Sequence, residues 1–298
     1  MSLTNWHTLA LGGLIALASC SGSEAASNDN ADLAVAAERT GFDAIEGEFT
    51  QGGWVRGKAP NGVTSIAMGD TSVPVLEDGT FFAAFDRDAG DVATLTATLG
   101  NGETLDKTFA ISKRAWKISR VSVSRGRGKN LEAWWKKREP EYNAIQEARA
   151  KQTGATGWQQ DFIWPVRGRI TGFFGRQRIY AGEPGPYHSG IDVAANTGTP
   201  LVAPADGVIV LARTGFSLEG GIVIVDHGAG LNSAFIHLSS VPVKEGQPVK
   251  QGQLIGKVGS TGRSTGPHMH WSLMWGKSRI DPLLMTGPIA YVFDGELK

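Results

Sequence analysis

Glycine punctuates this chain from end to end, forty times in 298 residues, and between the glycines apolar and polar residues alternate over short stretches. Long helices tolerate that spacing poorly, because each interior glycine weakens them, whereas short strands joined by tight turns need residues that accept positive φ. The fold expected is mostly β. Segments 47–55, 72–85 and 93–105 show the alternation plainly, and Glu77-Asp78-Gly79 and Gly100-Asn101-Gly102 have the chemistry of hairpin turns. Residues 41–112 read as a β-sandwich-like accessory domain with a structural, substrate-orienting or autoinhibitory role. They hold no metal or nucleophile constellation.

A chain of this length is expected to form two domains. Basic and acidic residues balance at 29 each, so no nucleic-acid partner is expected from bulk charge. The balance breaks locally: residues 113–151 hold twelve Lys and Arg against four Glu. Residues 113–156 read as a basic, partly helical linker. Its helix, over Leu131 to Ala150, is expected to break near Pro140 and to pack on the following domain through Trp134 and Trp135. An attraction to anionic wall or membrane polymer is the other reading of its charge.

The N-terminus carries targeting signals. Leu9 to Ala18 is an apolar run too short to span a bilayer and of the length of a signal-peptide core. It ends in Leu17-Ala18-Ser19-Cys20, which resembles a bacterial lipobox, and Cys20 is the one cysteine, so no intramolecular disulfide can form. Residues 1–20 are therefore expected to be a signal peptide ending at a lipidated Cys20, and 21–40 a flexible tether. An exported, lipid-anchored protein of the cell envelope follows, on the outer membrane or the periplasmic face. Residues 1–8 contain no Lys or Arg.

The chemistry sits near the other end. His188 and Asp192, in His-Ser-Gly-Ile-Asp, and His268 and His270, in Gly-Pro-His-Met-His-Trp, read as a metal site. In a strand, His268 and His270 face the same way and Met269 faces the other. Gly190 argues against a helix between His188 and Asp192, so one group is expected on a turn and the other on a strand starting near Ile191. Imidazoles with a carboxylate suit Zn²⁺, and three protein ligands leave a fourth position open, as catalytic zinc requires. His227, before Gly228, is read as structural.

Residues 164–282 resemble the lysostaphin-type (LytM-like) zinc metallopeptidases, which are peptidoglycan endopeptidases. The resemblance rests on Phe174-Gly-Arg176, the stretch His188 to Ala195, Gly198 to Val208, Val225-Asp-His-Gly228, Phe235 to Ser239 and Ser264 to Trp271, in that order. It implies an antiparallel-sheet peptidase domain, placed here at 157–290, with one Zn²⁺ held by His188, Asp192 and His270. It also implies that His237 and His268 flank the attacking water. No HExxH motif occurs, so a histidine base replaces the usual glutamate. The substrate implied is the stem peptides or cross-bridges of peptidoglycan. Loops 175–187 and 214–221 are expected to wall the groove, with Arg176, Arg178 and Tyr187 as substrate contacts; the arginines suit a carboxylate.

Two alternatives stand beside this. One is a catalytically silent activator or wall-binding module of the same fold. The other is a carrier or adaptor, because segments 203–209 and 246–256 echo biotinyl and lipoyl domains, although no Met-Lys-Met-like triplet is present.

Overall fold

The computed structural model describes residues 41–123 and 131–287, and the backbone of 292–293 and 296–297. The expected signal peptide, the tether and Cys20 lie outside the described residues. No helix among the described residues is long and apolar enough to cross a membrane.

Seven strands open the described chain: Asp43–Glu48 (β1), Trp54–Lys58 (β2), Val63–Met68 (β3), Thr71–Val73 (β4), Thr80–Ala84 (β5), Val92–Leu99 (β6) and Thr104–Ala110 (β7). They form two sheets, β1-β2-β5 and β4-β3-β6-β7. The turns expected from sequence are present. Asp78 Oδ1 accepts from the Thr80 amide at 2.9 Å, and Asn101 Oδ1 from the Glu103 amide at 2.9 Å, each a side chain closing its own turn. Strand β5 is buried on both faces: Phe81 meets Phe42 edge-on, while Phe82 stacks on Trp54 and meets Trp158.

The described parts of the segment read as a linker, 113–123 and 131–156, carry regular structure. Ile118–Val121 (β8) pairs in parallel with Gln177–Tyr180 (β10), which continues to Glu183–Pro184 (β11). Helix α1 spans Leu131–Ala150 without a break at Pro140, a departure from the expected interruption. Proline removes one hydrogen bond and strains the turn before it. Here ion pairs of Arg138 on one side and the burial of Ile145 and Ala148 on the other hold the helix across that point. The expected docking face is also corrected. Trp134 and Trp135 are exposed and pack on each other, and Trp135 packs on Tyr142, while Arg138, Ile145 and Ala148 are buried.

The remaining strands are Arg169–Gly172 (β9), Ile191–Ala194 (β12), Pro200–Val202 (β13), Gly207–Phe216 (β14), Gly220–Gly228 (β15), Leu231–Leu238 (β16), Pro248–Val249 (β17), Leu254–Lys257 (β18), His268–Trp275 (β19) and Ser278–Ile280 (β20), followed by helix α2, Pro282–Thr286, and a short hairpin of Val292–Phe293 with Glu296–Leu297. The main sheet runs β17-β14-β15-β16-β19-β12-β9, with β20 also on β19. One face carries Phe235, Met269, Trp271 and Leu273, all fully buried in the main core. The other face carries Ile222, Ile224 and Ala234 under α1. The register Ile236↔His270 and Asp192↔His270 puts the histidine pair on this second face, beside the helix.

Candidate active site

Each candidate ligand is placed by an element. His188 sits on the loop before β12, Asp192 on β12, and His270 directly opposite Asp192 on β19. The turn-and-strand division expected from Gly190 holds. On the far side, Asp192 pairs with Gly172 of β9, where a Cβ would come within 2.1 Å of Asp192 Oδ2. The carboxylate occupies the room that a side chain at 172 would take.

His188 Nδ1 lies 3.0 Å from the Phe173 carbonyl, which can only accept, so this nitrogen carries a hydrogen; in the neutral ring Nε2 then keeps its lone pair for a metal, and in the protonated ring it donates to Asp192. That Nε2 stands 3.0 Å from Asp192 Oδ1 and 3.1 Å from His270 Nδ1, and the latter two are 2.8 Å apart. The three atoms lie within 4.8 Å of one another. Acceptors crowded this way repel unless protons or a cation lie between them, so the donor set fits a metal ion. Competition for protons shows in the titration. Burial opposes charge on Asp192, but hydrogen bonds from His188 and His270 outweigh it and hold the carboxyl far below the ordinary range. Burial is likewise the largest influence on His188 and opposes its charge, but the hydrogen bond and charge of Asp192 and the Phe173 carbonyl together outweigh it and raise the imidazole. For His270 burial prevails and lowers it.

His237 and His268 face the same cleft, which has a volume of about 370 Å³ and also admits Leu218, Glu219, Arg263 and Thr265. Their rings are 4.8 Å apart. His237 Nδ1 donates to the Thr261 carbonyl at 2.8 Å and His268 Nδ1 to the Gly266 carbonyl at 2.8 Å, so each presents Nε2 as an acceptor. Burial pushes His237 down to about 4, so its ring is neutral near pH 7.

Strand alternation alone would turn His237 to the core side with Phe235. A bulge prevents this: Gly221 pairs with Leu238 and Val223 with Phe235, leaving Ile236 and His237 together opposite Ile222. His237 adopts φ 67°, the left-handed region, and turns to the cleft.

The residues expected to contact substrate are elsewhere. Arg176 stacks over Phe173 and donates to Thr171 O at 3.3 Å, beside a recess that adjoins His268. Arg178 lies on β10, and Tyr187 packs between Arg87 and Phe174, its phenol pushed up to about 12 chiefly by burial. None of the three lines the cleft. Of the two expected walls, 214–221 contributes Leu218 and Glu219, and 175–187 contributes nothing to the lining. Glu219 went unrecognised in the sequence because what holds it, Arg138, is 81 residues away. His227 is structural: its Nδ1 donates to Asp206 O at 2.8 Å and its Nε2 accepts from Ser233, which accepts from Trp271.

The model of peptidase family M23 matches residues 186–282. Peptidoglycan DD-endopeptidase ShyA of Vibrio cholerae is 44% identical over 87 residues, 29% of this chain and 20% of that protein. Cell division protein DipM of Caulobacter vibrioides is 38% identical over 114 residues, 38% of this chain and 18% of that protein. The chain thus spans about a fifth of the length of these curated relatives. A Pseudomonas aeruginosa crystal structure assigned to peptidase M23 superposes with a TM-score of 0.62 at 26% identity, covering 80% of this chain and 96% of that one. Residues 186–282, which carry His188, Asp192, His237, His268 and His270, are a peptidase family M23 domain of the LytM type.

Proposed function

We propose that the chain is a zinc-dependent endopeptidase that hydrolyses peptide cross-links of bacterial peptidoglycan. The observation that carries the reading is the meeting of His188 Nε2, Asp192 Oδ1 and His270 Nδ1 at one point of a cleft that two further imidazoles share. Two imidazoles and one carboxylate suit Zn²⁺. When bound there, zinc supplies Lewis-acid polarisation of the scissile carbonyl and of the attacking water. His237 and His268 take up the water's proton at Nε2 and return it to the departing amine. The Thr261 and Gly266 carbonyls keep both rings in the tautomer this requires. Arg176, outside the cleft but bonded to the Thr171 carbonyl at the rim of the adjoining recess, is proposed to pair with a carboxylate of a substrate that extends past the cleft.

The substrate class rests on the LytM-type domain and on the name of the Vibrio relative. A carrier role is disfavoured because no Met-Lys-Met-like triplet stands in the segments that echo a lipoyl hairpin. The place of action proposed is the cell envelope, with the chain anchored through Cys20. Incubation of the zinc-loaded chain with purified sacculi is expected to release uncross-linked stem peptides, identified by mass spectrometry. Unchanged cross-linking in the presence of stoichiometric zinc overturns the reading. Cys20→Ser is expected to abolish palmitate incorporation and to free the protein from membranes. A wild-type chain that takes up no palmitate removes the anchor and leaves the enzyme.

A further inference from the structure

Helix α1 lies on the sheet face that bears the site, and it holds more than apolar surface. Arg138 is 6% exposed, and a guanidinium that deeply buried must be paired. It forms a two-pronged pair with Glu219, at 2.8 and 2.7 Å, and reaches Glu141 at 3.0 Å. Glu141 accepts from the amide of Ser217 at 2.8 Å and from its hydroxyl. One turn of α1 therefore grips both ends of the connection 217–219 between β14 and β15.

The opposite side of that connection holds His237. The Glu219 carbonyl accepts the His237 amide at 2.8 Å. The Gly221 amide donates to Thr261 Oγ1 at 2.9 Å, and the Thr261 carbonyl takes the His237 Nδ1–H. Gly220, at φ 68°, lies so close to Thr261 that a Cβ would come within 2.2 Å of its hydroxyl oxygen. Backbone and ring of His237 are thus both tied to residues that the 217–221 turn positions. The left-handed φ of His237 is a conformation that persists only where its surroundings fix it.

We propose that Arg138 and Glu141 are positioning residues for His237, which makes the basic segment before the peptidase domain a working part of the active site. The clamp acts on the imidazole and leaves the metal ligands alone, since His188, Asp192 and His270 stand on other elements. The proposal rests on the reading of the cleft as hydrolytic.

The test uses the full chain and four variants: Arg138→Ala, Arg138→Lys, Glu141→Gln and Ile145→Ala. The last trims the apolar docking of α1 while keeping every ion pair and hydrogen bond between α1 and the 217–219 turn. Zinc content, Tm, and kcat and KM on a soluble cross-linked muropeptide are measured. Arg138→Ala is expected to keep its zinc and KM but lose tenfold or more in kcat. Arg138→Lys recovers part of it, one ammonium replacing a fork. Glu141→Gln shows a smaller loss, and Ile145→Ala lowers Tm with kcat unchanged. In parallel, NMR follows the His237 Nδ1–H resonance, which is expected to be protected in the wild type and in Ile145→Ala and exchange-broadened in Arg138→Ala. An active wild type whose Arg138→Ala variant keeps full kcat overturns the clamp alone, as does a kcat loss that merely tracks Tm across all variants. An inactive wild type overturns the hydrolytic reading, and the His237 resonance then decides the clamp by itself. Should Arg138→Ala fail to fold, Arg138→Lys and Glu141→Gln carry the same comparison.

Discussion

At the scale of single residues, three imidazoles in the cleft each have Nδ1 tied to a backbone carbonyl: His188 to Phe173, His237 to Thr261 and His268 to Gly266. Their division of labour then depends on where Nε2 points. Replacing His188, Asp192 or His270 by Ala is expected to abolish zinc binding and hydrolysis with the β-fold retained, because each supplies one of three ligand atoms. His237→Ala and His268→Ala are expected to retain zinc and lose ~10²- to 10⁴-fold in rate. Metal analysis beside turnover separates the classes, and loss of zinc in His268→Ala would make that residue a ligand. His227 yields a pH prediction. Burial pushes it from 6.5 down to about 4, so the folded state holds the neutral ring while the unfolded chain protonates near the ordinary value. Its contribution is complete above pH 6.5 and is lost as pH falls through 4, up to ~3 kcal/mol in all. Urea unfolding between pH 7 and 4 should therefore show a flatter stability profile in His227→Gln than in wild type. Equal slopes would remove His227 as the source.

At the scale of elements, the site is a strand-pairing problem. Asp192 meets His270 because β12 and β19 pair in one register, and a slip of one residue would turn Asp192 to the core face. Strand β9 completes the arrangement by offering Gly172 opposite the carboxylate. Gly172→Ala should push Asp192 off its partners and weaken zinc binding at least tenfold, with little change in Tm, because the strain falls on the ligand; titration with a chelator measures it. Unaltered affinity would show that β9 yields instead. The strand alternation that places His268 and His270 together was legible from His-Met-His alone. The bulge that turns His237 was not, since it consists of a pairing between β15 and β16 that no local residue marks. Helix α1 was legible as a helix, but its docking face was misread. Tryptophans are the usual anchors, and here a buried arginine displaces them because its carboxylate partner lies on the sheet side.

At the scale of the molecule, the accessory sandwich and the peptidase sheet share one buried cluster, joined where Phe82 meets Trp158. Polar bonds cross the same boundary: Trp54 Nε1 to Leu284 O at 2.9 Å, Arg114 to Asp281 at 2.8 Å, and Arg87 to the Gly175 carbonyl at 3.0 Å. Arg87 also lies over the rings of Trp116 and Tyr187, the latter next in sequence to His188, a candidate metal ligand. The sandwich thereby braces the segment that carries that ligand. A chain with a shared core is expected to unfold in one cooperative transition. Calorimetric and van't Hoff enthalpies should agree for the full chain, and two resolved transitions would show that the sandwich folds apart.

The sequence alone determined the β character, the turns, which five His and Asp side chains to look for in one cleft, and the family that their order implies. Those properties are local: glycine sets turns, period-two alternation sets faces, and ligand chemistry belongs to side chains. Tertiary structure alone decided the aim of His237, the pairing of Glu219 with Arg138, the direction in which α1 docks and the merging of two expected domains into one core. Each of these depends on which distant residue fills a given space or satisfies a given charge, and burial makes that choice only once the chain has closed on itself.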